Sequence, residues 1–354
     1  MHAAASGWEL APGYTISRVI LGLWQLSGGH GPVDDTKAFE HMRKLVEAGL
    51  TTIDCADIYT GVEELIGRFR VHYQSQFLSG ELPEIQVHTK YVPDLEALPN
   101  LSREYTQAVI DRSLQRLGVD RLDLLQFHWW DFNIPGHVDA AMHLVEARKA
   151  GKIRHIGVTN YDGVHLQEIL EAGVPVVSNQ VQYSVLDSRP ESGMAELAQR
   201  YGFRLLCYGT VAGGFVSDRY FKREAPQEPL ENRSLTKYRL IIKEFGGWHL
   251  FQELLQTLRT VADRHGVEIA EAAIRYILQK PAVAGVIVGA RSDDHLDRLK
   301  TLDIFELGME DMILIDGVLA KAKGPLGPIF GLERDRTGAH GRIMRYDLNR
   351  VSLD

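Results

Sequence analysis

Thr51–Gly67 reads TTIDCADIYTGVEELIG. A short β-type run ends on Asp54, a turn follows, and helix-type spacing starts near Val62. This is one βα unit, and it recurs along the chain. Further strands are predicted at Arg18–Trp24, Ile85–Lys90, Leu122–His128, Ile153–Thr159, Val176–Val181, Arg204–Tyr208 and Gly285–Val288. Amphipathic stretches at Asp35–Ala48, Val62–Tyr73, Ser102–Leu117, Val138–Ala150, Gly163–Glu171 and Glu191–Arg200 predict helices between them. Gly49, Gly118, Gly151, Gly173 and Gly202 fall just past helix ends, where a positive-φ stop is wanted. Eight strands alternating with helices favour a closed (β/α)8 TIM barrel, a single α/β domain, over an open sheet.

One connection breaks the rhythm. Thr210–Gly247, after the seventh strand, contains SDRYFKREAPQEPLENRS with Pro226 and Pro229, and is expected to be a long loop on the active-site side. Helices at His249–Arg264 and Glu268–Leu278 precede the last strand, and Met309–Lys321 is a closing helix. The barrel is expected over residues 1–323. Residues 324–354, punctuated by Gly and Pro and rich in Arg, are expected to be an extended tail with Arg334, Arg336, Arg342, Arg345 and Arg350 in solvent.

Composition excludes more than it assigns. The chain has 354 residues, 45% hydrophobic and 24% charged, which is ordinary for a cytosolic globular protein. No apolar run reaches membrane-span length, and the N-terminal stretch lacks a signal-peptide pattern. Two cysteines are too few for a disulfide framework and fit a reducing, cytoplasmic location. A net charge of −8 argues against a nucleic-acid partner. The fourteen histidines form no metal-binding motif, so no metal is expected. SGGHGP at Ser27–Pro32 has glycines but no phosphate-loop frame. Oligomeric state is not legible.

The ends of barrel strands share one mouth. Strand two ends at Asp54 with Tyr59 in the loop after it, strand three ends at Lys90, and strand four ends at His128. Singly, each has a plain alternative: a helix N-cap, a loop aromatic, a solvated strand end, a satisfied core histidine. Together they form a titratable cluster following apolar runs, where charge should be rare.

These segments resemble the aldo-keto reductase family over roughly 10–307. Asp54, Tyr59, Gly61, Glu64 and Gly67 match its first signature, with Cys55 in place of the usual Thr. RSLQRLGVDRLDLLQFHWWD resembles the second, through Ser113, Leu117, Gly118, Asp123 and His128. GKIRHIGVTNY, with Thr159 for Ser and Asn160 kept, and NQVQYSVLD, with Asn179 and Gln180, resemble later ones. The resemblance implies a catalytic tetrad of Asp54, Tyr59, Lys90 and His128. In carbonyl reduction, Tyr59 would give the proton and Lys90 would lower its pKa. Asp54 would hold Lys90, and His128 would donate a hydrogen bond to the substrate oxygen.

The same resemblance implies a nicotinamide cofactor, NADP(H), with NAD(H) as the alternative. Thr159, Asn160 and Gln180 would meet the nicotinamide, Tyr208 would stack on it, and Gly209, Gly213 and Gly214 would allow backbone approach to the pyrophosphate. Gly289, Arg291 and His295 would line the phosphate segment after the last strand. There the family's Glu-Asn pair is replaced by Arg298 and Leu299, leaving Arg291 as the 2′-phosphate contact. Trp24, Trp129 and Trp130 are expected at the substrate pocket. The partner is a small carbonyl or alcohol. The alternatives are an NAD-dependent sugar or alcohol dehydrogenase on the same residues, and a cofactor-binding accessory subunit with slow chemistry.

Overall fold

The chain enters through a hairpin that the sequence did not reveal: β1 (Gly7–Ala11) and β2 (Tyr14–Ser17), joined at Pro12–Gly13. Gly13 takes a positive φ of 67°, which the tight turn requires. Leu10, Tyr14 and Ile16 are buried while Glu9 and Thr15 face outward. The buried face packs on Ile20, Leu124, Leu206 and Ala284, near the starts of four barrel strands, and so closes the end opposite the strand termini. The computed structural model describes residues 7–27, 34–289, 298–299, 302 and 305–349.

All eight barrel strands form: β3 (Val19–Gly22), β4 (Thr52–Asp54), β5 (Gln86–Tyr91), β6 (Leu122–Phe127), β7 (Ile153–Thr159), β8 (Val176–Gln182), β9 (Arg204–Tyr208) and β10 (Val283–Val288). They pair in parallel in chain order, and β10 returns to β3 to close the barrel. The fold is thus the expected (β/α)8 barrel in a single domain. Around it lie α1 (Asp35–Glu47), α2 (Val62–His72), α3 (Gln74–Ser79), α4 (Arg103–Leu117), α5 (His137–Lys149), α6 (Gly163–Glu171), α7 (Met194–Tyr201), α8 (Arg233–Phe245), α9 (Gly247–His265) and α10 (Ile269–Leu278). Side-chain caps fix several starts: Asp34 accepts from Thr36 and Lys37, Ser102 from Tyr105, and Asp162 from His165. The five glycines expected as helix stops all have positive φ. Among the described residues, no helix is long and apolar enough to cross a membrane.

Two expectations need correction. The long connection after the seventh strand is not all loop, because α8 occupies its last third. Asn232 caps α8 by accepting from the Leu235 N–H, and Leu235, Tyr238, Ile241, Ile242 and Phe245 form its buried face. Nor does the C-terminal segment run out into solvent. Glu333, with 0% exposure, pairs with the buried Arg189 at 3.0 Å, and Arg189 also binds Asp187 at 2.7 Å. Arg334 donates to the carbonyls of Trp129, at 3.2 Å, and Asn160, at 2.8 Å. Tyr346 packs on Trp130, and the Asn349 amide donates to Asp57. Arg336, Arg342 and Arg345 are exposed as expected, and Arg350 lies outside the described residues. The segment therefore covers the strand ends rather than leaving them open.

Gly67 shows how tightly the helical ring is packed. A Cβ there would stand 2.2 Å from the Arg116 carbonyl oxygen at the end of α4. Gly67→Ala is expected to lower stability by about 1–3 kcal/mol through overpacking. A thermal melt with unchanged Tm would show that α2 and α4 do not approach this closely.

Candidate active site

The site is built on the ends of β4 to β8. Parallel pairing sets Lys90 opposite Gln126, and Thr159 opposite Gln180. Lys90 Nζ donates to Asp54 Oδ2 at 2.6 Å and to the Cys55 carbonyl at 2.9 Å, with both charged side chains buried. Asp54 Oδ1 accepts from Gln126 Nε2 at 3.1 Å and Gln180 Nε2 at 2.6 Å. Gln126, fully buried, is a member that the sequence did not single out. Its signal was present, because Gln126 and His128 share one face of the strand in LLQFH.

Tyr59 follows β4 in the turn before α2. Its ring lies 5.0 Å from Lys90 Nζ and 4.8 Å, edge-on, from Trp24. The structure therefore brings Asp54, Lys90, Tyr59 and Trp24 together. Lys90 pulls the Tyr59 pKa down, as expected, but it does not set the net shift. Burial raises the pKa, and the opposing pull of Lys90 does not cancel that, so the phenol stays protonated at neutral pH. For Lys90, burial alone would push the ammonium down, but the Asp54 carboxylate outweighs it and the net shift is upward. The ammonium is locked in its charged form.

His128 Nδ1 lies 3.2 Å from the Thr159 carbonyl oxygen, which can only accept, so Nδ1 carries the proton. Burial, aided by the nearby Arg334 guanidinium, drops the pKa of the ring to about 3. The neutral ring then presents a lone pair at Nε2, a buried atom with no partner among the described residues. In this tautomer Nε2 accepts from a hydroxyl, whereas the expected donation to a carbonyl oxygen belongs to the other tautomer. Trp130 stands perpendicular to the ring at 4.4 Å, and Phe330, which no motif marks, at 5.5 Å. Trp129 is corrected as a pocket residue. It is 0% exposed, with its indole N–H spent on the Asp131 and Ile134 carbonyls.

The residues expected at a nicotinamide fit its carboxamide. Asn160, at φ 63°, accepts at Oδ1 from the Tyr208 hydroxyl at 2.8 Å, which leaves its N–H2 to donate. Gln180 spends Nε2 on Asp54 and Gln126, which leaves its carbonyl oxygen to accept. One donor and one acceptor are what a primary amide needs. Thr159 Oγ1 is turned away, donating to the Gln180 backbone carbonyl. Gly214 is open where a Cβ would stand, but Gly209 and Gly213 are not. A Cβ at Gly209 would meet the Tyr238 hydroxyl at 2.4 Å, and one at Gly213 would meet the Tyr238 ring at 3.0 Å. Those two glycines admit α8. Gly289 is exposed, and a Cβ there would strike the Gln25 amide at 2.6 Å. Arg291 and His295 lie outside the described residues.

A closed parallel barrel with a buried Asp–Lys pair, a tyrosine and a histidine at its mouth defines a class of oxidoreductase. The chain matches the model of the aldo/keto reductase family over residues 18–320 and belongs to that family. It is 26% identical to an aldo-keto reductase, YhdN, of Bacillus subtilis, covering 90% of this chain and 95% of that one. It is 25% identical to L-glyceraldehyde 3-phosphate reductase of Escherichia coli, covering 87% and 90%. The solved glycerol dehydrogenase of Gluconobacter oxydans superposes with a TM-score of 0.75 at 23% identity, covering 92% of this chain and 99% of that one. Family members generally use nicotinamide cofactors.

The His128 geometry yields a direct expectation. Between pH 5 and 8, a range of about 1.5 units either side of an unperturbed imidazole, its ring should stay neutral with the proton on Nδ1. Nitrogen NMR of the labelled protein reads this, and titration of the His128 signals near pH 6.5 would contradict it.

Proposed function

We propose that this protein is an NADPH-dependent reductase of aldehydes or ketones in which Tyr59 is the general acid. The observation that carries the reading is the Lys90 ammonium, fixed to buried Asp54 at 2.6 Å and 5.0 Å from the Tyr59 ring. The family relationship and reductases among the relatives support carbonyl reduction in general.

When bound, the nicotinamide supplies a hydride to the carbonyl carbon. Asn160 and Gln180 orient its carboxamide, Tyr208 offers a ring face, and Thr159 holds the β7–β8 ends in register. Tyr59 gives its hydroxyl proton to the carbonyl oxygen. Burial keeps that proton on Tyr59 at neutral pH, which suits reduction better than oxidation. Lys90 steadies the phenolate left behind, and Asp54 keeps Lys90 charged. The new hydroxyl then donates to His128 Nε2. Trp24 and Trp130 wall the space beside Tyr59 and His128.

Tyr59→Phe removes only the transferable proton. It should keep the fold and cofactor affinity while kcat falls on the order of 10²–10⁴-fold. Near-normal kcat would remove Tyr59 from the role.

The adenine end of the cofactor is proposed from sequence. Arg291 lacks an acidic residue four positions on, whereas Arg298 is engaged by Glu268 at 2.8 Å. Arg291, with His295 nearby in the chain, is assigned to the 2′-phosphate, and Gly289 to the approach before it. Arg291→Ala should weaken NADPH by about 1–3 kcal/mol and leave NADH nearly unchanged. Fluorescence titration showing equal losses for both would favour the NAD-dependent alternative.

A further inference from the structure

Helix α8 brings a cation to the mouth for which the proposed chemistry has no use. Lys237 Nζ sits 5.0 Å from the centre of the Tyr208 ring, 5.5 Å from Tyr238 and 6.0 Å from Phe330. Among the described residues, no carboxylate stands within ion-pairing distance, and the ammonium makes no hydrogen bond. The acids that act on it are Glu333 and Asp187, and both are spent on Arg189. Burial, with Arg189 adding to it, outweighs those two acids and pushes its pKa down.

Three aromatic faces attract an ammonium, but they do not replace its water. A half-buried charge left in this state is a cost that an anionic ligand would relieve. The position is suited to one. Phe330, on which Lys237 rests, stands edge-on to His128, whose Nε2 has no partner. Tyr208, also under Lys237, is bonded to Asn160. The Phe330 ring thus neighbours both the ammonium, at 6.0 Å, and the His128 ring, at 5.5 Å. A second cation, Arg334, flanks the same Phe330 ring at 5.4 Å, with its two Nη groups directed to the carbonyls of Ile329, Trp129 and Asn160 and its buried Nε–H without a partner among the described residues. Arg334 latches the segment and adds positive potential, while Lys237 keeps its donors available. In a chain of net charge −8, this is a local reversal of sign at the mouth.

We propose that Lys237 is the anion-binding residue of the substrate pocket, and that the carbonyl compound taken here carries a carboxylate or phosphate group. This rests on the reductase reading above. It makes Lys237 a specificity-determining residue and leaves hydride and proton transfer to the groups already named.

The test pairs 4-carboxybenzaldehyde with 4-methylbenzaldehyde, two aldehydes differing in charge at one end. Wild type should prefer the acid. Lys237→Met should reduce that preference, as a ratio of kcat/KM, by about tenfold or more, through the KM of the acid. Lys237→Arg should retain it. Thermal stability should not fall in Lys237→Met, since an uncompensated charge is removed; a clear loss of Tm with unchanged preference would mark a structural lysine and overturn the proposal. So would wild type that prefers the neutral aldehyde. Fluorescence titration of NADPH separates the other source of anionic charge. If Lys237→Met weakens NADPH and spares the preference, the anion is the cofactor's phosphate and the proposal fails. Calorimetry with 4-carboxybenzyl alcohol reads the site without turnover. Binding lost in Lys237→Met supports the anion site even if wild type reduces neither aldehyde, a result that would sink the reductase reading alone.

Discussion

The Asp54–Lys90 pair is the constraint on which the mouth depends. Neither charge can be withdrawn from water alone, and together they are tolerable only with their remaining hydrogen-bonding positions filled. The filling is done by the barrel. Asp54 comes from β4, Lys90 from β5, Gln126 from β6 and Gln180 from β8, so one carboxylate collects N–H donors from three other strands. A slip of register in any of them would leave a buried charge or amide unpaired. The pair thereby fixes the strand ends against one another, and the turn carrying Tyr59 inherits that placement.

A second buried cluster does a different job. Asp187, Arg189 and Glu333 fasten the C-terminal segment across the strand ends, and Arg334 ties it to the carbonyls of Trp129 and Asn160 on either side of His128. The fastening sets the environment of His128. Phe330 and Trp130 shut water away from its ring, and the Arg334 charge opposes a second proton there. The segment therefore acts on the site through desolvation and field as well as through shape. It also makes the barrel and the residues after 323 depend on one another.

The sequence carries most of the barrel openly. β-type runs and glycine stops repeat often enough to reveal eight strands, and the strand-end polar residues stand out because apolar runs precede them. What it hides is set by distance in the chain. α8 is masked by the prolines and charges before it, although Leu235, Tyr238, Ile242 and Phe245 carry helical spacing. Tyr14 meets His88 across 74 positions, and Arg189 meets Glu333 across 144, and no local pattern announces either. The Tyr59 pKa shows a further gap. Lys90 beside it is legible as a neighbour, but the depth of burial that defeats Lys90 is a property of the packed mouth.

That defeat bears on the chemistry. On the proposed reading, one proton at the mouth is placed to move. Lys90 is locked to Asp54, and His128 Nε2 offers a lone pair, so the Tyr59 hydroxyl is the remaining donor. Burial protects this proton until a substrate oxygen draws on it, and the same burial would make the phenolate left behind expensive. The two requirements conflict unless a positive charge is already close when the proton leaves. Lys90 meets that condition, because its attraction, too weak to ionise Tyr59 at rest, acts in full on the phenolate. The environment thus raises the resting pKa and limits the cost of transfer with the same set of contacts. Pre-organisation of this kind needs no rearrangement during the step, which is what a mouth held by two buried charge clusters can provide.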